Sequence, residues 1–259
     1  MRFGCCAGLD KAEVLQDAGF DYIELGVGTV LPERPASEFE SVMEQIKALR
    51  IKPEAWNCLI IGDIKLTGPN VDFYRVERYL RTAFERIASL GGKVVVFGSG
   101  GARNVPDDFA ESKARQQILE FLALCGNVAG QNSLRVAIEP LNRKESNIIN
   151  SVAEGVEFAE LAARSEVRAL ADLYHIDEEN EPLENVAKAG SMLIHTHTAD
   201  TGRYSPGTGS YDHIGFFRAL KEAGYDDRMS IECRWNDIDT ECGPSLSFLR
   251  SVAEKVARE

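Results

Sequence analysis

Residues 135–172 read RVAIEPLNRKESNIINSVAEGVEFAELAARSEVRALAD. The stretch opens on a short apolar run at 135–138, continues through a longer segment, and closes on a second apolar run at 168–172. A carboxylate stands where each run ends, Glu139 after the first and Asp172 at the close of the second. Short apolar runs that alternate with helical segments are typical of βα units around a parallel sheet. We therefore predict that this stretch is one strand–helix–strand unit.

The same alternation extends over the whole chain. Eight strand candidates lie at residues 2–7, 22–26, 53–60, 93–97, 135–138, 168–172, 192–197 and 228–232. The clearest helix candidates lie at 72–90 and 107–129, where apolar residues recur at helical spacing. Eight βα units in 259 residues suit a TIM barrel, whereas a doubly wound sheet reaches this length with fewer strands or a second domain. Because no linker divides the chain, we predict a single (β/α)8 TIM-barrel domain of the α/β class over residues 1–259.

Composition limits the partners that this chain can have. The formal net charge of -12 opposes binding to nucleic acid, which recruits clustered Lys and Arg. The six cysteines include no CxxC pair, which favours a reduced, cytoplasmic setting. No leader-like segment and no run of about 18 apolar residues is present, so no membrane association is expected. The outer helices of a barrel can support a homo-oligomer, but no sequence feature fixes the number of subunits.

Four consecutive predicted strands end on side chains that bind metals well. In TIM barrels the active site lies at the carboxyl ends of the strands. These ends carry Glu139, Asp172, a histidine from the segment HTH (195–197), and Glu232. Buried carboxylates at one barrel mouth repel each other unless a cation compensates them, although any one of them alone could be a helix cap. Three carboxylates and an imidazole predict one divalent ion, such as Mn²⁺, Mg²⁺, Co²⁺ or Zn²⁺.

Four segments of this half resemble the xylose-isomerase-like TIM-barrel superfamily: EPLNR (139–143), DLYH (172–175), HTHT (195–198) and IE (231–232). Within the superfamily the likeness is closest to the ketose 3-epimerases, such as D-tagatose and D-psicose 3-epimerase, and to sugar phosphate isomerases. The amino-terminal half matches only in its strand pattern and in DYIEL (21–25). The resemblance implies a metal bound by Glu139, Asp172, His197 and Glu232. It also implies substrate contacts from Glu145, His175 and Arg203.

These roles fit the movement of a proton on a small sugar or sugar-like polyol. Removing a proton next to a carbonyl needs a base and stabilisation of the enediolate, and a metal can provide the second as a Lewis acid. Glu139 and Glu232 would serve the two sides of the reacting carbon as the catalytic pair. Return of a proton to the opposite face gives epimerisation, and transfer between adjacent carbons gives aldose–ketose isomerisation. The four ligands permit either outcome, in carbohydrate metabolism.

Further candidates lie at other strand ends. Trp56 and Asn57 could supply an apolar wall and a polar contact, although Trp56 could equally fill the core. The loop GSGGAR (98–103) could bind an anion with the help of Ser99 and Arg103, which would make the substrate a sugar phosphate or a sugar acid. Glycine runs also serve tight turns, which is the competing interpretation.

Two polar residues of the barrel remain open in their roles. Glu24 ends the second predicted strand and could contact substrate or pair with a barrel Arg or Lys. His195 lies on the same strand face as His197, because the two are two residues apart. We expect His195 to support the site or to pack.

Other functions are compatible with the same barrel. A dehydratase of the inosose or dehydroshikimate type would use the same metal and base to expel a hydroxyl group. A phosphodiesterase similar to endonuclease IV shares the spacing of Asp172 and His175, but its trinuclear zinc site needs more than the four histidines of this chain. A non-catalytic sugar-binding barrel would not require both Glu139 and Glu232.

Overall fold

The computed structural model describes all residues, Met1–Glu259, and has eight parallel strands. They are β1 (Arg2–Cys6), β2 (Tyr22–Gly26), β3 (Pro53–Asn57), β4 (Val94–Phe97), β5 (Arg135–Ile138), β6 (Val167–Asp172), β7 (Leu193–Thr198) and β8 (Arg228–Ile231). The strands follow one another in chain order, and β8 pairs with β1, so the sheet is a closed barrel. The predicted α/β TIM-barrel fold is confirmed.

Ten helices surround the barrel. They are α1 (Ala12–Ala18), α2 (Ala36–Ala48), α3 (Phe73–Ser89), α4 (Gly100–Arg103), α5 (Glu111–Gln131), α6 (Val152–Ala162), α7 (Leu173–Glu178), α8 (Glu184–Ala189), α9 (His213–Glu222) and α10 (Ile238–Ala257). None of them is both long and apolar enough to cross a lipid bilayer.

The predicted elements agree closely with the observed ones, with two exceptions. Strand β3 ends at Asn57 rather than at residue 60, because Cys58 has a φ of 53° and leaves the extended conformation. Helix α5 begins at Glu111 rather than at residue 107, because the N–H of Phe109 bonds back to the carbonyl of Pro106 and closes a turn there. Helix α3 begins as predicted, where the Asp72 carboxylate accepts a hydrogen bond from the N–H of Arg75 at 3.0 Å.

The interior of the barrel has an apolar floor and a polar upper part. A cluster of five buried side chains, Val94, Val96, Ala137, Leu170 and Ile194, is separate from the 65-residue core that includes the surrounding helices. Val95 and Phe97 belong to that larger core, so alternation along β4 places Val94 and Val96 inside the barrel. Side chains at higher inward positions on the strands are polar and form the candidate site.

Candidate active site

The structure brings the four predicted metal ligands together at the carboxyl end of the barrel. Glu139 follows β5, Asp172 ends β6, His197 lies in β7 and Glu232 follows β8. The pairing of β6 with β7 sets Asp172 directly opposite His197. One ligand atom from each of the four lies within 4.8 Å of the others. Three of the residues are buried, and the Glu232 side chain is 18% exposed.

His197 is held between carboxylates on both sides of its ring. Its Nδ1 lies 3.0 Å from Glu139 Oε1 and 3.4 Å from Glu232 Oε2, while its Nε2 lies 3.0 Å from Glu24 Oε1. Burial opposes the charged ring, but Glu24, Glu232 and Glu139 outweigh it and raise the pKa of His197 well above its usual value. His197 is therefore protonated when no metal is bound. The proton on Nδ1 faces Glu139 and Glu232, where a bound metal ion would otherwise supply the positive charge.

Asp172 and His175 each have a buried polar atom without a hydrogen-bond partner. Asp172 Oδ1 accepts from the N–H of Tyr174 at 2.9 Å and caps α7, whereas Oδ2 has no partner. His175 Nε2, 3.7 Å from that oxygen, also has none. An unpaired buried polar atom costs roughly 1–3 kcal/mol. Three oxygen donors and one imidazole, one of the oxygens unpartnered, fit a divalent ion.

The two glutamates differ in their electrostatic surroundings. Burial and the neighbouring Glu232 raise the pKa of Glu139. Burial alone would raise the pKa of Glu232 too, but His197 and Arg203 lower it to about 2. Paired carboxyl groups whose surroundings separate their pKa values suit an acid and a base.

Glu24 lies behind His197 and organises a buried polar network. Its carboxylate accepts hydrogen bonds from His197 at 3.0 Å, from His195 Nε2 at 2.8 Å and from Ser230 Oγ at 2.5 Å. Tyr22 extends the network through a 2.8 Å contact with Ser230. Glu24 therefore pairs with histidines, and not with the barrel Arg or Lys considered from the sequence. Glu24 lies on β2 and the two histidines lie on β7, so they meet across the interior of the closed barrel, and no local sequence signal links them.

Arg203 and Asn57 both contact Glu232, and Glu145 contacts Arg203. Arg203 donates to Glu232 Oε2 at 2.9 Å and to Glu145 Oε1 at 3.1 Å, with its guanidinium 4.7 Å from the ring centre of Tyr174. Asn57 Nδ2 donates to Glu232 Oε1 at 3.0 Å. These polar groups at the mouth can hold the oxygen atoms of a small polyol.

His175 is fixed in one orientation by the backbone. Its Nδ1 accepts from the N–H of Asn142 at 3.0 Å, so the proton sits on Nε2, which points towards Asp172. Burial and Arg203 lower the pKa of His175 to about 3. The ring is therefore neutral and can donate a hydrogen bond from Nε2.

Two predicted substrate contacts have other roles in the structure. Trp56 is 0% exposed and belongs to the core outside the barrel, because successive side chains of β3 alternate and Asn57 takes the inward direction. Arg103 is also 0% exposed, and its guanidinium donates to the carbonyls of Phe97, Glu139 and Ile149. Arg103 therefore holds the loops together and leaves no group for an anion.

The glycine loop after β4 is shaped by packing. A Cβ on Gly98 would lie 2.2 Å from Glu139 Oε2, and one on Gly100 would lie 2.5 Å from the carbonyl oxygen of Glu145. The Ser99 hydroxyl already accepts a hydrogen bond from the N–H of Ile60 at 3.0 Å. Of the two interpretations of this loop, the structure favours packing over an anion site, because the backbone at Gly98 approaches the Glu139 carboxylate closely.

Comparisons with known proteins agree with this geometry. A family model described as xylose isomerase-like TIM barrel matches residues 12–252. The 3-dehydro-D-guloside 4-epimerase of Escherichia coli (strain K12) is 27% identical over 95% of this chain and 92% of its own. The L-ribulose 3-epimerase of Methylomonas sp. (strain DH-1) is 25% identical over 90% of this chain and 87% of its own.

A solved structure of D-psicose 3-epimerase, determined in the presence of D-fructose, has the same fold. It superposes with a TM-score of 0.84 at 19% identity, over 98% of this chain and 99% of that one. The predicted resemblance to ketose 3-epimerases is confirmed by these relatives. Since the family model spans almost the whole barrel, the chain belongs to the xylose isomerase-like TIM-barrel family.

Proposed function

We propose that the protein is a divalent-metal-dependent sugar epimerase that inverts a carbon next to a carbonyl group. The observation that carries the proposal is the convergence of Glu139, Asp172, His197 and Glu232 within 4.8 Å in a buried barrel mouth. A bound divalent ion would act there as a Lewis acid towards the carbonyl oxygen and would stabilise negative charge that develops on it. The similarity to several sugar epimerases supports the same class of reaction.

Glu139 and Glu232 are the acid–base pair of the proposed reaction. They extend from β5 and β8, with β6 and β7 between them, so they reach the mouth from different sides. The surroundings favour the ionised form of Glu232 more than that of Glu139. In the proposed scheme Glu232, which Arg203 contacts at 2.9 Å, takes the proton from the substrate carbon, and Glu139 returns one to the opposite face. The net change is inversion, with no atom gained or lost.

Arg203 and His175 hold the substrate in this scheme. The Arg203 guanidinium is already within hydrogen-bond reach of Glu232, so a substrate oxygen beside that carboxylate would lie within its reach too. The Nε2–H of His175 has no partner in the protein and is free to donate to a substrate oxygen. Donors placed where negative charge develops lower the barrier to proton removal.

Deuterium exchange followed by NMR tests the proposal. Protein loaded with Mn²⁺ is diluted in heavy water with ketoses, aldoses and glycosides that carry a ketone, and any Mn²⁺ is removed by chelation before the spectra are recorded. Deuterium at the inverted carbon, together with formation of the epimer, supports an epimerase. Deuterium at C1 or C2, together with formation of an aldose–ketose pair, would show that the enzyme is an isomerase instead.

Variants of the two glutamates test their roles. Glu139→Gln and Glu232→Gln should each lower exchange by roughly 10²-fold or more, the contribution typical of a general acid or base. Circular dichroism checks that both variants fold. Undiminished exchange in either one would remove the two-glutamate mechanism. A substrate that loses water, with no deuterium at an inverted carbon, would indicate a dehydratase.

A further inference from the structure

A cavity beside the candidate active site has no role in the chemistry described so far. It has a volume of about 440 Å³ and opens between the loop after β1 and the loop after β8. Its lining includes Cys6, Gly8, Asp10, Lys11, Trp235 and Asn236. Small-molecule pockets span roughly 300–1,000 Å³, so the cavity can hold one small cyclic group.

Cys6 lies between the cavity and the site of the proposed reaction. Cys6 lines the cavity, and its thiol also lies within 4.8 Å of a carboxylate oxygen of Glu24 and a ring nitrogen of His197. The lining also includes Trp235, which follows the catalytic Glu232 by three residues. A ligand bound at the metal ligands can therefore extend past Cys6 into the cavity.

The lining has the chemistry of a sugar subsite. Trp235 is half-buried and packs against the core, and the rest of its indole lines the cavity. Aromatic surface beside a few polar groups binds the apolar face and the hydroxyl groups of a sugar ring. Asp10 and Asn236 are exposed and supply polar groups at the rim.

The charge of the lining opposes an anionic ligand. Lys11 is the one cation of the lining, and its Nζ is paired with Asp239 at 2.8 Å. Asp10 and Asp237 add two carboxylates. A phosphate would meet net negative charge here, whereas a neutral polyol would not.

We propose that this cavity is a subsite for a neutral sugar ring that is joined by a glycosidic bond to the reacting keto sugar. The substrate is then a keto-glycoside, and not a free or phosphorylated monosaccharide. The inference rests on the proposed function for the identity of the reacting ring.

Turnover of two matched compounds tests the subsite. 3-Dehydro-D-glucose carries the reacting ring alone, and 3-dehydrocellobiose carries the same ring joined to a second glucose. Trp235→Ala should lower kcat/KM for 3-dehydrocellobiose by about tenfold, mainly by raising KM. A tenfold effect is the lower end of what one lost apolar contact in a pocket costs. It should leave kcat/KM for 3-dehydro-D-glucose within twofold, and Tyr74→Ala, which removes a 72% exposed aromatic ring elsewhere, should change neither.

Intrinsic fluorescence gives a second measurement that does not depend on turnover. The chain has two tryptophans, and Trp56 is fully buried in the core, so ligand-induced changes report on Trp235. 3-Dehydrocellobiose should change the emission at lower concentration than 3-dehydro-D-glucose does, and Asp10→Ala, which keeps both tryptophans, should weaken that response.

The two measurements separate failure of the subsite from failure of the proposed function. Exchange on both compounds with equal kcat/KM, and equal effects of Trp235→Ala on both, would overturn the subsite and leave the epimerase. Fluorescence binding that prefers the disaccharide, without exchange on any compound of the full panel, would support the subsite and remove the proposed function. Equal fluorescence responses to the two compounds would overturn the subsite in either case.

Discussion

Replacing Glu24 by glutamine should weaken binding of a divalent ion, although Glu24 lies behind His197 and not among the four ligands. The substitution keeps the size of the side chain and removes its charge. The two carboxylate oxygens of Glu24 accept from His197 on one side and from His195 and Ser230 on the other. A glutamine has one acceptor oxygen, so its NH₂ group must face one of these two sets of donors.

The effect follows from the tautomer of His197. If the new NH₂ group faces His197, the ring must accept at Nε2 and carry its proton on Nδ1, which is the nitrogen that faces Glu139 and Glu232. A protonated nitrogen cannot bind a metal. If the NH₂ group faces His195 instead, that ring can move its proton to Nδ1, which has no partner, and His197 keeps its tautomer.

The loss of metal affinity depends on how often each of these two arrangements forms. Changes to a residue that orients a metal-binding histidine typically cost about 10- to 100-fold in affinity. That loss corresponds to roughly 1.4–2.8 kcal/mol of binding free energy. We expect the Kd for Mn²⁺ to rise within this range.

Titration calorimetry with Mn²⁺ on chelator-treated protein measures the effect. Glu54→Gln is the matched control, because Glu54 is a barrel carboxylate that pairs with Arg2 and Arg228 and has no contact with the metal ligands. Nitrogen-15 spectra of the imidazole groups, with Zn²⁺ as a diamagnetic ion, report the tautomer of His197 among the four histidines. A Kd for Glu24→Gln within twofold of the wild type, with an unchanged His197 spectrum, would refute the positioning role.

Three other perturbations separate function from stability. Burial and Glu139 raise the pKa of Asp172 from 3.8 to about 7 without an ion, so its protonated form contributes stability that is present below about pH 4 and lost as the pH rises through 7. Mn²⁺ should therefore raise the Tm more at about pH 8 than at about pH 5.5, and scanning fluorimetry should show it. Arg103→Met should lower the free energy of unfolding by roughly 3 kcal/mol in urea titrations, because buried carbonyls lose their donor. Gly98→Ala should weaken Mn²⁺ binding at least about tenfold by displacing the flexible end of Glu139, while the Tm falls only slightly.

Much of the fold and of the ligand set could be predicted from the sequence because both depend on local patterns. Strand ends are visible where an apolar run meets a charged residue, as at Glu139 and Asp172. The barrel then places such ends at one mouth whatever the surrounding helices do. What local patterns could not provide was the partner of each buried polar group. Glu24 meets His195 and His197 across sequence separations of 171 and 173 residues, and only the closed barrel brings them together.

The errors over Trp56 and Arg103 have one cause, which is that position at the mouth of a barrel does not determine the direction of a side chain. Alternation along β3 means that either Trp56 or Asn57 can face the site, and the contact of Asn57 with Glu232 decides which one does. Arg103 lies after the strand, where no alternation applies, and its direction follows from the carbonyls left unpaired by the loops around it. One inward residue on β3 is therefore enough to give the direction of Trp56 by alternation. The direction of Arg103 depends instead on the hydrogen bonds of the whole loop, since a buried guanidinium goes where acceptors are otherwise unsatisfied.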